Sequence, residues 1–382
     1  MVLGQTWSED WQKAGMTIAE SIDGGDGPTE TVKTRPTVHS IQLLRFLAAL
    51  AVVLFHGEQA FARRISPPPV PIEAYLFGFG AVGVHVFFVI SGFIMVFTSP
   101  FAEGFDVAKF FRRRLLRIYP IYWLCAVLYI AAHALLGMPY CLSPETALGA
   151  LLLLPEDAPA IIGPAWTLSF EMFFYLCFGL AMTAGLTRGL LLLAGVFAAA
   201  IALGMVLPPG GRAWELVTDP LLLEFVAGAA IGWLLVTGRL PRRGGLWVVL
   251  LSLVLFAAGI AWGYDRLPSV AVWGVPSALL VGGVVAWEAA RDPTPWVRRV
   301  GVLGDSSYAL YLIHILIVTL FVQAAMNQLW LAQLRPAAAA LLIAMLALFT
   351  AELLHRKIER PALAWFSPKR PLVPVRATDP PG

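Results

Sequence analysis

Ten stretches of this chain are apolar over close to twenty residues each. They run at about 40–57, 78–98, 118–138, 165–185, 189–207, 220–237, 245–264, 269–289, 307–326 and 336–355. A helix needs about 20 apolar residues, rising ~1.5 Å each, to cross the hydrocarbon of a bilayer. The pattern therefore predicts an all-α, polytopic transmembrane helical bundle of about ten spans. A further run, Thr146 to Leu154, is too short to cross and predicts a re-entrant or interfacial helix. Residues 1–38 are polar, rich in Gly, Ser and Thr, and lack the apolar core of a signal peptide. They predict a disordered cytosolic tail, followed by a membrane domain over 39–365 and a second cytosolic tail over 366–382.

Composition agrees with the pattern. The 382 residues are 59% hydrophobic and only 13% charged, with a mean hydropathy of +0.76, whereas a soluble domain carries about a quarter charged residues. A formal net charge of +3 leaves no footprint for nucleic acid. The three cysteines, Cys125, Cys141 and Cys177, have neither disulfide-scaffold nor zinc spacing, so no metal is expected. Charge also sets the orientation. With the N-terminus inside and the spans alternating, 21 of the 27 basic residues fall on the inner side and five on the outer. That asymmetry places both termini in the cytoplasm.

Five stretches put polar groups inside the apolar segments: Arg45 to His56, Gly83 to Phe93, Phe110 to Pro120, Trp166 to Tyr175 and Ser307 to His314. An ionisable group in hydrocarbon costs roughly 2.5–3.5 kcal/mol on insertion scales, so the repetition points to a buried polar site. Arg45 and His56 are eleven residues apart, about three turns plus 20°, hence on one helix face and about 16 Å apart along the axis. A snorkelling arginine with a helix-end histidine explains the pair as packing. A general base explains it as chemistry, because imidazole exchanges protons near neutral pH. His85 begins span two and is expected beside His56 across an antiparallel pair. Ser91 and Gly92 offer a small-residue face for close helix packing. Arg113, Arg114 and Arg117 read either as a positive-inside anchor or as a phosphate clamp, Arg114 and Arg117 sharing a face at i and i+3. Tyr119-Pro120 is expected to kink or start a helix. Glu171, buried in span four, must be paired or protonated. It reads as an inter-helix salt bridge, with Arg45 as one partner, or as the carboxylate that orients a histidine. Glu224 reads as structural. Tyr308, Tyr311 and His314 trace one face of span nine, with His314 either a core histidine or part of the site.

In this order, Arg45 with His56, GVHVFFVISGF from Gly83, RRLLRIYP from Arg113, WTLSFEMFFY from Trp166, LLEFVAG from Leu222, SYALYLIH from Ser307 and Glu359-Arg360-Pro361 resemble the acyltransferase family 3 of integral membrane proteins. The resemblance covers about 38–365. It implies a bacterial-type cytoplasmic membrane enzyme that moves an acyl group, most often acetyl, from acyl-CoA to a hydroxyl of a cell-surface or lipid-linked carbohydrate such as exopolysaccharide. The catalytic set it implies is His56, Arg45, Glu171 and His314, with acyl-CoA held by Arg113, Arg114 and Arg117. His85, Ser91, Tyr308 and Tyr311 support them. Many members carry Asp where this chain has His85, so a supporting carboxylate is expected to be missing there. A glycan or lipid transporter or flippase is the competing class, since it too buries ionisable groups at mid-membrane. Against it stand the lack of a repeat between halves and of matched broken helices.

Overall fold

The computed structural model describes residues 37–65, 77–99, 101, 104–138, 144–155, 160–262 and 267–366. The expected N-terminal tail, apart from Thr37 and Val38, and the expected C-terminal tail, apart from Phe366, lie outside the described residues, as does Cys141. The described residues are helical, with no strand among them. They form α1 (His39–Arg64), α2 (Val82–Phe97), α3 (Val107–Leu135), α4 (Pro144–Leu152), α5 (Trp166–Ala181), α6 (Leu186–Val206), α7 (Arg212–Thr218), α8 (Leu222–Val236), α9 (Gly245–Trp262), α10 (Val275–Ala290), α11 (Pro295–Gly301), α12 (Ser307–Asn327), α13 (Leu329–Ala332), α14 (Pro336–Leu354) and α15 (Arg360–Phe366). Among the described residues ten helical segments are long and apolar enough to cross a membrane, and each contains one of the ten expected spans in whole or large part.

Burial separates the middle of the bundle from its rim. The α2 segment is 67% buried, whereas α6 and α9 are 17% buried and turn almost wholly apolar surfaces outward. In lipid, close backbone approach replaces the hydrophobic effect as the force between helices, and glycines supply it here. A Cβ on Gly228 would lie 1.8 Å from the Val89 carbonyl oxygen, and one on Gly92 would lie 1.9 Å from that of Phe225. The helices α2 and α8 therefore meet backbone to backbone, as the Ser91-Gly92 face suggested for Gly92. The same device sets α2 on α1: Gly80 lies against Ala51 and Phe55, Gly83 against Ala48 and Val52.

The helix ends are held from neighbouring elements. Glu288 of α10 accepts from the backbone N–H groups of His39 (2.8 Å) and Ser40 (2.6 Å), a carboxylate at the electropositive start of α1. Asp106 caps α3 by accepting from the Lys109 N–H. The helix α3 runs through Pro120 from Val107, so the proline does not start it. Pro120 lacks the donor that an interior helical residue gives its i−4 carbonyl. The whole basic run from Lys109 to Arg117 consequently lies on the helix rather than in a loop before it.

The short helix α4 packs along α3. Tyr119, Tyr122 and Trp123 donate to the carbonyls of Leu152, Ala150 and Leu151, at 2.8, 2.6 and 2.9 Å. These anchors lie twelve to sixteen residues before the end of α3 at Leu135, roughly 18–24 Å along the axis. The helix α4 therefore lies alongside the middle of α3 and not at its end.

Candidate active site

A cavity of about 990 Å³ opens among α1, α2, α3, α5 and α12. Its mouth holds Lys109, Arg112, Arg113 and Arg114, at the level of Thr98 where α2 ends. Its waist holds Gln42, Arg45, Ser91, Arg117 and Glu171. Its far end holds Val84, Phe87, Thr167 and Tyr311.

Arg114 is built in rather than trailing in solvent. It donates to Thr98 Oγ1 at 3.0 Å. Its guanidinium lies over the rings of Phe110 and Tyr175, at 5.6 and 5.7 Å from their centroids. Aromatic faces attract a guanidinium electrostatically and hold its plane. Arg112 and Arg113 are exposed, while Arg117 is half-buried. In the waist Arg45 donates to Gln42 (2.6 Å), and Gln42 donates to Asp305 (2.6 Å). Arg117 is near enough to Arg45 for the charges to repel, with Asp305, Glu359 and Glu171 in range to offset them. Five guanidiniums along one cavity, those of Arg45, Arg112, Arg113, Arg114 and Arg117, leave it electropositive, which suits a polyanion.

Glu171 accepts from Ser91 Oγ (2.9 Å) and, through a short hydrogen bond, from the Tyr175 hydroxyl. Neither expected partner, a histidine or Arg45 at salt-bridge distance, is joined to it among the described residues. Tyr175 follows Glu171 by one turn, so that pair was open to reading on the i, i+4 rule. Thr167 precedes Glu171 by one turn on the same face.

His56 meets His314. His56 Nδ1 lies 3.0 Å from the Val52 carbonyl oxygen and 3.2 Å from His314 Nε2, with the ring centroids 5.1 Å apart. A carbonyl only accepts, so His56 carries its hydrogen on Nδ1 and leaves Nε2 with a lone pair. His314 Nε2 must then accept as well. This tautomer leaves His56 Nε2 as a base, and a proton gained there is stabilised through Nδ1 by His314. His314 is fully buried and His56 half-buried. Neither lines the cavity. They stand just beyond its far end, where the ring of Tyr311 lies 5.9 Å from that of His314 on one side and 5.9 Å from that of Phe87 on the other. The Tyr311 hydroxyl is fixed by the Pro164 carbonyl (2.9 Å) and Thr167 Oγ1 (2.7 Å). Tyr308 donates to the Ile118 carbonyl (2.8 Å), tying α12 to α3.

His85 is not beside His56. The glycine contacts put Gly83 level with Ala48 and Val52, so His85 lies about two turns deeper along α1 than His56. It bonds instead to Glu224 of α8 at 2.6 Å, Glu224 being 2% exposed. The carboxylate expected to be missing near residue 85 thus arrives from another helix, and the pair lies outside the cavity. It joins α2 to α8. A second, part-buried pair joins His355 to Glu359 at 2.8 Å. No group of three or more metal-ligating side chains forms among the described residues.

Residues 38–353 match the family model described as "Acyltransferase domain". The exopolysaccharide production protein ExoZ of Rhizobium meliloti (strain 1021) is 34% identical over 261 residues, 65% of this chain and 80% of its own length. The acyltransferase MdmB of Streptomyces mycarofaciens is 30% identical over 381 residues, 89% of this chain and 96% of its own. No solved structure matches.

Proposed function

The chain belongs to the acyltransferase domain family, and on that premise we propose that it moves a short acyl group, acetyl in the first instance, from acyl-CoA to a hydroxyl of a cell-surface or lipid-linked carbohydrate. One observation supports this above the others: an arginine-lined cavity ends one aromatic ring away from an imidazole pair. A CoA thioester has that layout, with phosphates at one end and the reactive carbonyl at the tip of a thin arm. In this reading the phosphates lie among Arg112, Arg113 and Arg114, on the cytoplasmic side. The arm passes Arg117, Arg45, Ser91 and Glu171. The thioester reaches the Tyr311 end. The relative that functions in exopolysaccharide production favours a glycan acceptor.

The chemistry asked of the chain is modest. A sugar hydroxyl is too weak an acid to ionise near pH 7, so a base must take its proton as it attacks. His56 takes that proton on Nε2. The new carbon–oxygen bond forms, the carbon–sulfur bond breaks, and the proton passes to the departing CoA thiolate. His314 is the positioning residue, accepting from His56 Nδ1 beside the Val52 carbonyl and sharing the gained charge. Arg45 lies about 16 Å from His56 along α1, which suits it to the donor arm and not to the imidazole. Packing contacts fix each of these groups before substrate arrives, and such preorganisation is what makes fixed dipoles effective.

The test is release of free CoA thiol from acetyl-CoA by purified protein given glycans extracted from the producing cell. The wild type is expected to liberate CoA and to shift the glycan mass by one acyl unit, while His56→Ala does neither. Equal release by the wild type and by empty nanodiscs would sink the assignment, and a transporter gives that result.

A further inference from the structure

We propose that α15, which lies past residue 353 where the family match ends, forms one wall of the donor cavity and packs Leu363 against the arm of acyl-CoA; the inference rests on the donor reading above. Leu363 lines the cavity opposite no lesser company than the basic helix itself, since Leu116 of α3 and the mouth arginines line it too. Among the described residues, Leu363 is the only one after Tyr311 to do so. The chain brings it there by running long. Residues Pro336–Trp365 form one helical segment of 30 residues, about 45 Å of helix for ~30 Å of hydrocarbon. The excess lies at its C-terminal end, where Arg356, Lys357 and Arg360 follow the apolar part, and there α15 packs on α3.

A π-helical turn, His355–Glu359, sets which face of α15 looks inward. It holds one residue more than an α-turn, so the helix beyond it is rotated by about 100° from a straight continuation. Such turns are rare and occur frequently at functional sites. Arg356, Lys357 and Ile358 are exposed, whereas Glu359 is 1% exposed and bonds to His355 at 2.8 Å. The Glu359 charge also acts on Arg45 and Tyr308, which puts it close to the waist of the cavity. Leu363 follows Glu359 by one turn on the same face, about 6 Å nearer the cytosol. Leu116 lies at the matching level on α3, between Arg114 of the mouth and Arg117 of the waist. The arm of CoA has an apolar stretch at that height. Its pantoyl unit carries two methyl groups next to the pyrophosphate, ahead of two amides. With the phosphates among the mouth arginines and the amides at the polar waist, the methyls fall between Leu116 and Leu363. Trp365 is 86% exposed and points away from this face.

The experiment labels Leu363→Cys and Trp365→Cys with a maleimide in purified full-length protein, with and without saturating desulfo-CoA, which has no thiol to consume the reagent. The unsubstituted protein gives the background from the native cysteines, and isothermal titration confirms that it binds desulfo-CoA. Leu363→Cys is expected to react in the free protein and to react several-fold more slowly with desulfo-CoA bound, while Trp365→Cys reacts alike in both. Leu363→Ala carries an independent kinetic arm. It should raise the acetyl-CoA KM roughly fivefold, about what one lost apolar contact removes, with kcat little changed. If the wild type binds desulfo-CoA but labelling of Leu363→Cys is unaffected by it, or that thiol does not react in the free protein, the wall is overturned and α15 is a surface anchor only. An unchanged KM in Leu363→Ala overturns the contact as well. If the wild type does not bind desulfo-CoA, the donor reading falls and takes the wall with it.

Discussion

At the scale of single residues, the chemistry depends on which atoms carry protons and charge. The Val52 carbonyl fixes the His56 tautomer, so removing the ring removes the base. General-base catalysis contributes typically 10²–10⁴-fold, and His56→Ala should lose at least that factor in acylation while the folded protein stays in the membrane. Its amount in solubilised membranes is the control. His314→Phe keeps bulk but removes the acceptor for His56 Nδ1. It should lower kcat roughly 10–100-fold with little change in donor KM, as expected of a second partner that orients and polarises the imidazole. A rise in KM with kcat intact would show that His314 binds substrate instead. Arg114→Ala should act oppositely, weakening CoA binding by about tenfold or more, the order expected for one charge-assisted hydrogen bond of ~1.5–3 kcal/mol. Isothermal titration with CoA reads it directly. Arg45, His56, Glu171 and the arginines were conspicuous in the sequence because charge in an apolar segment is costly. Gln42, Thr98, Thr167 and Phe87 were not, since a small polar or aromatic residue in a span needs no special explanation.

At the scale of elements, the contacts that matter are between backbones. Gly228 faces the Val89 carbonyl so closely that any side chain forces α2 and α8 apart. Overpacking of a close-packed site costs about 1–3 kcal/mol and sometimes more. Gly228→Leu should accordingly lower the thermal unfolding midpoint in detergent, and an unchanged midpoint would mean that α2 and α8 do not meet as described. The His85–Glu224 pair crosses the same interface. Breaking a buried pair from one side leaves an uncompensated polar group and costs roughly 3–5 kcal/mol, whereas replacing both partners by apolar residues costs far less. Glu224→Leu should therefore destabilise more than the double change His85→Phe with Glu224→Leu, measured by the same melt. The expectation that His85 neighbours His56 failed for an element-scale reason. Reading both as lying near one membrane face ignored the offset between α1 and α2, which the Gly80 and Gly83 contacts set at about two turns.

At the scale of the molecule, ten candidate spans among the described residues and the one-sided distribution of basic residues predict that both ends lie on the same side. Reporter fusions at the two termini should be accessible from one face only, the cytoplasmic one by the positive-inside rule. The cavity is a whole-molecule feature. Three consecutive helices, α1 to α3, and the more distant α5 and α12 supply most of its wall, and α12 carries Tyr311 at its end and His314 just beyond.

The number of candidate spans, their helical nature and the ionisable groups His85, Glu171, Glu224 and His314 inside them were legible in the sequence alone, because the bilayer imposes one length and one secondary structure and makes a charge in an apolar segment conspicuous; the buried Glu58 and Thr167 were not read there. Which of those residues meet was decided by tertiary packing. His56 with His314, His85 with Glu224, and Glu171 with Ser91 and Tyr175 depend on the offset and rotation of each helix against its neighbour. In a membrane those are set by backbone approach at a few glycines and by inter-helix hydrogen bonds, which no hydropathy pattern encodes.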